Sequence, residues 1–507
     1  MAVTINEKAM FFLFIICFFP CLASASDALK IAIVGAGIGG ASMSHYLLKN
    51  LSNIAEIKIF EKEAEAGGRT NHFTISEELK IEMGASFFIE ANKNLLELAQ
   101  IYNCSYTSGS DLKEVLGFWN EKSFVFQSST RNYITMLKML WRYGVSPLYF
   151  FKENSKMVEN FLKIYDNVTY HNYSEFLSLV KAERFVNITM EEYLTKENYN
   201  KDFINEFVGG VISGIYNQKS KNINSFAGMI ALAGANNKAY HFQDGNRECV
   251  KKIIKSQEKV NLQIDSTVKK IYGKADSYSI TYQDKSGKLQ IEDKFDIVVL
   301  AAPHQNIEIE TNNTSMKQKR SRYVEAFVYL IAGQIKCNYF QADENECPGI
   351  LMNINLNQSI IADYSRKCKE CYELKNKSDV YKIQATKELN KSEISAIFND
   401  GIFKILDSKN WEAYPFLRPL NETDFYDIQI EDGIYYLNGM ELLASCMEME
   451  TISAKNIAKL IWEHQLNKKQ REENNEFPAA HTDHPETIKV EELKKNESGN
   501  KVPASEL

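Results

Sequence analysis

A run of glycines, Gly35-Ala36-Gly37-Ile38-Gly39-Gly40, constrains this chain more than any other feature. It follows a short apolar, β-branched run, Leu29–Val34, and precedes an amphipathic stretch at about 41–49. The first reads as a buried parallel strand and the second as a helix. Gly35 permits the tight turn between them. Gly37 lets the backbone approach a pyrophosphate, and Gly40 lets helix pack on strand. Gly39 completes the run, and the helix start turns its unpaired N–H groups toward the phosphates.

A lone glycine motif of this kind is weak, and its surroundings make it specific. A second strand, Glu56–Phe60, ends in Glu61. That carboxylate lies about 20 residues past the glycines, where a ribose hydroxyl needs an acceptor. Next comes Ala66-Gly67-Gly68-Arg69. Gly68 allows close backbone passage, and Arg69 is placed to meet pyrophosphate charge. Gly-Gly-Arg at this distance is a feature of large two-domain flavoproteins, so the expected cofactor is FAD. Later segments fit one interrupted FAD domain. The stretch Ile81–Ser86, with Gly84, returns the chain to the flavin. Val260–Ile264 leads to Val268, read as an antiparallel-type stretch whose backbone holds adenine. Phe295–Pro303 is another buried strand. Ile434–Glu441 is a strand running into the Gly439 turn, and Glu441 opens toward a helix expected from about 444 to 462.

Composition narrows the rest. Lys+Arg number 59 and Asp+Glu 66, a net charge of −7, which gives no reason to expect nucleic-acid binding. A hydrophobic fraction of 44% excludes a disordered chain. Phe11–Leu22 is almost unbroken apolar sequence followed by Ala23-Ser24-Ala25. It is too short to span a bilayer and reads as a secretory signal, residues 1–25, cleaved near Ala25. Cys17 and Cys21 leave with it. Of the remainder, Cys337, Cys347, Cys368 and Cys371 cluster and are expected to pair in an oxidising lumen. Cys368-Lys-Glu-Cys371 without a second pair or a nearby histidine is weak evidence for metal, and no metal is expected. Asn-x-Ser/Thr sequons recur from Asn50 to Asn496, and several surface ones are expected to carry glycan. From about residue 467 the chain is charged and polar, a mobile tail spanning 467–507.

At these residues the chain resembles the prenylcysteine oxidases, FAD-dependent thioether oxidases of the amine-oxidase-like flavoprotein superfamily. The fingerprint KIAIVGAGIGG with IFEKEAEAGGR is shared across the superfamily. The narrower family is carried by Met139–Gly144, Asn222–Phe226, Gln243–Asn246, Trp411–Pro415, Tyr436–Glu441 and Ala444–Met449. The similarity runs from about Lys30 to Trp462. It departs at Met83-Gly84-Ala85-Ser86, where the family tends to a Gly-Gly-Ser run, and across the Cys- and Asn-rich stretch 337–391.

The resemblance implies an α/β fold: an interrupted Rossmann-type FAD domain with a second, mixed α+β substrate domain. The FAD domain is expected from 28–110, 236–305 and 406–466, and the substrate domain from 111–235 and 306–405. It also implies a lysosomal or secreted enzyme. Its substrate would be a prenylated cysteine, cleaved with dioxygen and water to cysteine, a prenyl aldehyde and hydrogen peroxide. No catalytic residue stands out. His241 and His304 are candidates near the cofactor, with a structural role the better reading. Glu441 and Arg247 are candidates for holding a free amino acid group. The setting of Cys446 argues against a covalent flavin link. Aromatic residues crowd 118–170, as a prenyl tunnel requires, and Val145–Phe151 reads as a patch that touches membrane. Two further readings stand beside this one. An amine or polyamine oxidase would cage its substrate between Tyr414 and Tyr436. A non-catalytic prenyl-binding protein of the GDP dissociation inhibitor type ranks last, because it would be cytosolic and needs no glycine fingerprint.

Overall fold

Every buried residue of Leu29–Val34 lies between strands, as an uninterrupted apolar run should. In the computed structural model this strand is the centre of a six-stranded sheet. Its order is Val260–Gln263, Ile54–Phe60, Leu29–Val34, Ile297–Leu300, Ile434–Tyr436 and Gln429–Glu431. The first four junctions are parallel and the last is antiparallel. Residues 28–77, 79–108, 114–303, 307–310, 321–343, 347–356 and 360–476 are described. The expected signal segment, His304, several sequons and the end of the tail lie outside them.

The sheet gathers strands from four distant stretches of chain, and a strand from 260–263 reaches its edge by pairing parallel with Ile54–Phe60. The expected antiparallel arrangement there is therefore corrected. The antiparallel ladder begins one strand later, at Thr267–Lys274 with Ser277–Gln283. The expected helix at 444–462 also shifts. The strand Ile434–Tyr436 runs into a tight 3-10 turn, Asn438–Leu442, and the helix is Met447–Glu476. The fold divides after Trp462, so the last turns of that helix belong to a second unit beginning at Glu463.

A seven-stranded sheet forms the other half of the first unit. Its order is Phe398–Pro415, Tyr323–Ile335, Lys377–Ala385, Ile361–Glu373, Ile350–Asn353, Leu116–Trp119 and Phe124–Gln127. The Phe398–Pro415 strand crosses the 405/406 boundary expected from sequence. One face of this sheet packs Tyr329, Ile331, Tyr364, Tyr381 and Ile383, and the other packs Ile81, Met83, Val328, Leu330 and Val380. Helices between 132 and 236 cover the aromatic core around Phe150, Phe176, Phe203 and Phe226.

Cys104 is disulfide-bonded to Cys249, across 145 residues, and Cys368 to Cys371. The expected cluster thus pairs only in part. Cys347 sits beside Cys337 and within 3.5 Å of the Tyr364 hydroxyl. Among the described residues no helix is long and apolar enough to cross a membrane, and no group of side chains could hold a metal ion.

Candidate functional site

The glycine run forms a cradle at the carboxyl ends of the parallel strands. Gly35 has φ 110°, and its N–H donates to the Phe60 carbonyl at 2.8 Å. A Cβ on Gly40 would lie 2.0 Å from the Gly35 carbonyl oxygen, so helix and turn touch backbone to backbone. Gly37 caps the helix Ile38–Asn50 with no side chain on its N–H groups. The nearest atom to a Cβ on Gly37 is the Gly68 Cα, at 3.9 Å. Gly68, with φ 56°, brings its own backbone up from the opposite side. Two bare backbones therefore meet beside the positive end of a helix, where unpaired N–H groups free of side chains suit a pyrophosphate.

Glu61 closes the cradle's ribose end. Its buried carboxylate accepts the Ala36 N–H at 2.8 Å and the Glu63 N–H at 2.9 Å. Burial pushes its pKa up, against those two bonds. Ser266 and Asp265 donate backbone N–H groups to the Glu61 and Glu63 carbonyls, which carries Val268 to the same edge. Val268 is buried and opposite Tyr282. These residues fit the ribose and adenine of a dinucleotide.

Arg69 is placed differently from expectation. Its guanidinium forks onto the Glu441 carboxylate, with Nη1 2.9 Å from Oε2, and also donates to the Ala413 carbonyl at 3.0 Å. The cation is spent on a carboxylate 372 residues away in sequence rather than on phosphate. Asn438 Nδ2 bridges Glu441 to Glu450, the latter at 3.2 Å. Burial raises Glu450 well above the usual carboxylate range. Burial also acts on Glu441, but Arg69 holds it below that range. Glu450 is thus the neutral member of the pair. It presses on the cradle helix, since a Cβ on Gly39 would lie 2.9 Å from its Oε2. Gly84 passes over the Arg69 carbonyl, where a Cβ would lie 1.9 Å away, and Gly439 lies under the Tyr173 hydroxyl.

Arg69, Tyr414, Asp363, Lys367 and Lys382 are only partly buried and Cys446 is exposed, so these side chains border a hollow beyond Arg69, with Tyr414 beside both Arg69 and Asp363. Tyr414 and Tyr436 do not pair into a cage. Tyr414 packs on Tyr216 with ring centroids 5.3 Å apart, whereas Tyr436 is buried in its sheet against Tyr426. Arg247 bonds the Thr70 carbonyl and Glu65, and Glu441 is committed to Arg69, so neither is free to hold an amino acid group. His241 lies beside Lys367, and burial lowers its pKa. Sequence reasoning missed Glu450, Asp363, Lys367 and Lys382. An unusual density of charge within apolar strand patterns was the one available signal.

The comparisons agree with this geometry. A family model described as an NAD(P)-binding Rossmann-like domain matches residues 33–102. A second, described as prenylcysteine lyase, matches residues 126–475. Prenylcysteine oxidase 1 of Mus musculus is 27% identical over 478 residues, covering 88% of this chain and 92% of that protein. Its counterpart in Homo sapiens is 27% identical over 460 residues, covering 85% and 88%. Among solved structures, a fatty acid isomerase from P. acnes matches with TM-score 0.60 at 11% identity, covering 86% of this chain and 99% of that one. Cyclohexylamine oxidase from Brevibacterium oxydans matches with TM-score 0.58 at 12% identity, covering 87% and 100%. These two show the fold. The cradle takes FAD, the protein is an oxidoreductase, and with a family model spanning well over half its length the chain belongs to the prenylcysteine lyase family.

Proposed function

We propose that this enzyme oxidatively cleaves the thioether of prenylated cysteines, releasing cysteine, a prenyl aldehyde and hydrogen peroxide during breakdown of prenylated proteins. The observation that carries the reading is the extent of the family match. It covers residues 126–475, which include most of the seven-stranded sheet and the aromatic helices beside the hollow, and not only the nucleotide cradle. Bound FAD supplies the two-electron acceptor, which dioxygen then restores. The chain's own part is binding and orientation. Gly37, Gly68 and the helix start hold the pyrophosphate, and Glu61 holds the ribose. The Arg69–Glu441 pair fixes the chain where cradle and hollow meet. Tyr414, held edge-on by the buried Tyr216, presents its ring to the hollow.

The discriminating measurement is anaerobic reduction of the purified flavoprotein. Farnesylcysteine should bleach the flavin band, and spermine should leave it unchanged. Bleaching by spermine alone would replace the thioether reading with an amine oxidase.

A greasy substrate partitions into lipid, and the surface offers a place to meet it. Tyr133, Leu137 and Trp141 are exposed at four-residue spacing on the helix Asn132–Tyr143, with Trp141 89% exposed. Val145, Leu148 and Tyr149 continue the patch onto the next helix. Exposed Arg131 and Lys138 flank it. Tyr and Trp amid apolar residues beside cations suit an anionic bilayer interface. The reading places the enzyme peripherally on lysosomal membranes, delivered by its signal segment. Vesicles containing phosphatidylserine should co-sediment the wild type, and L137E with W141E should cut the bound fraction roughly 10-fold. No enrichment of the wild type over a soluble control would sink the membrane contact.

A further inference from the structure

On the face of the seven-stranded sheet that looks toward Gly84, polar side chains gather on the two middle strands among apolar ones. Asp363 and Ser365 point to this face from the Ile361–Glu373 strand, and Lys382 and Gln384 from the neighbouring Lys377–Ala385 strand. In register, Asp363 stands opposite Gln384 and Ser365 opposite Lys382. A bulge between Arg366 and Cys368 adds Lys367 to the same face. Around them lie Ile81, Met83, Val328, Leu330 and Val380. Polar groups set in an apolar face cost stability unless they are satisfied.

Here they are satisfied only in part. Lys382 donates to the Ser86 hydroxyl at 2.9 Å and reaches the Gly84 carbonyl at 3.4 Å. Among the described residues, Asp363 Oδ2 and Gln384 Nε2 are buried with no hydrogen-bond partner, and so is Trp411 Nε1. Burial, with Lys367 beside it, pulls Lys382 down to about 8. Burial pushes Asp363 up to about 7, with both lysines acting against it. Glu82 and His241 also face the group. Asp363, Lys367 and Lys382 keep some accessible surface, and Tyr414 lies beside both Asp363 and Arg69.

We propose that Asp363, Lys367, Lys382 and Gln384 form a receptor for a free α-amino acid headgroup. The two lysines and the Gln384 amide take the carboxylate, and the spare oxygen of Asp363 takes the ammonium. Two cations, one anion and an amide donor on one face are the complement of a zwitterion, and the apolar surround strengthens each contact. This site rests on the thioether reading above, because a prenylated cysteine carries such a headgroup at one end and its apolar chain at the other. It predicts selection of free prenylcysteine over prenylated peptide, in which both charges are blocked.

The test uses the FAD-loaded enzyme with S-farnesylcysteine, its methyl ester and its N-acetyl derivative, scored by kcat/KM and by flavin content. The wild type should prefer the free compound over either blocked one by at least ~10-fold, as a site built of buried polar groups does. K382M should raise KM for the free acid far more than for the methyl ester and so erase the acid-over-ester preference. D363N should erase the preference for the free amine, and K382R should restore part of the acid preference. A wild type that oxidises all three compounds alike overturns the receptor while the thioether reading stands. One that oxidises none of them overturns both. Loss of flavin from K382M with its preference intact would assign the lysine to the cofactor and overturn the receptor as well.

Discussion

Gly37→Val should leave the protein folded and empty it of FAD, whereas Gly40→Ala should unfold the nucleotide half. The two glycines sit three residues apart and their surroundings explain the contrast. A Cβ on Gly37 meets only the Gly68 Cα, at 3.9 Å, and its backbone is extended, a conformation valine adopts freely. The new isopropyl group therefore stands over the bare helix start, the space a pyrophosphate needs. Melting of the apoprotein should shift by less than about 4 °C, and the yellow chromophore should be lost on purification. A Cβ on Gly40 lies 2.0 Å from the Gly35 carbonyl oxygen, and both partners are backbone. No rotamer relieves that contact, so helix and strand must part, at a cost of at least ~3 kcal/mol. Flavin absorbance read alongside urea unfolding separates the two effects. Full flavin content in Gly37→Val would refute the cradle.

What the sequence made legible was local. The strand, the glycines, the helix and Glu61 all lie between Leu29 and Glu61, and each residue's role follows from neighbours a few positions away. Arg69 was legible only as a cation following the Gly67-Gly68 pair. Its partner stands 372 residues on, and nothing local to Gly68-Arg69 points to Glu441. The Cys104–Cys249 bond fails for the same reason, since 145 residues separate two cysteines with ordinary surroundings. The Asp363–Lys382 cluster was hidden by its setting. Its strands alternate charge with Tyr, Cys and Ile, and the charged positions pass for a solvated face. Only the packing of Ile81 and Met83 against that face shows that it points inward. Glu450 shares this fate. On the helix Met447–Glu476 it sits among glutamates that read as surface, while the fold buries it under Gly39.

Arg69→Met carries the second large effect, because one guanidinium stabilises two buried carboxyl groups. Glu441 is ionised inside the protein, held below the usual carboxylate range against burial by the bidentate contact from Arg69. Glu450 stays protonated beside it, pushed up first by burial and then by the Glu441 charge. Removing Arg69 strands that charge. Glu441 must then take up a proton, or remain charged with no counterion and only Asn438, Glu450 and a long contact to Tyr323 to hold it. Removing one partner of a buried ion pair costs about 3–5 kcal/mol. Arg69→Lys should recover only a little, since an ammonium cannot fork onto both oxygens and reach the Ala413 carbonyl as well. Glu441→Leu alone should cost a similar amount, by leaving the guanidinium unpaired. The double variant Arg69→Met/Glu441→Leu should be less destabilised than the sum of the singles by at least ~2 kcal/mol, because neither charge then remains. Flavin content should fall in all four variants, since Glu450 and Asn438 carry the disturbance to Gly39 at the cradle helix. Additive losses in the urea series would mean that Arg69 and Glu441 stabilise the fold independently, and the coupling between cradle and hollow would have to run elsewhere.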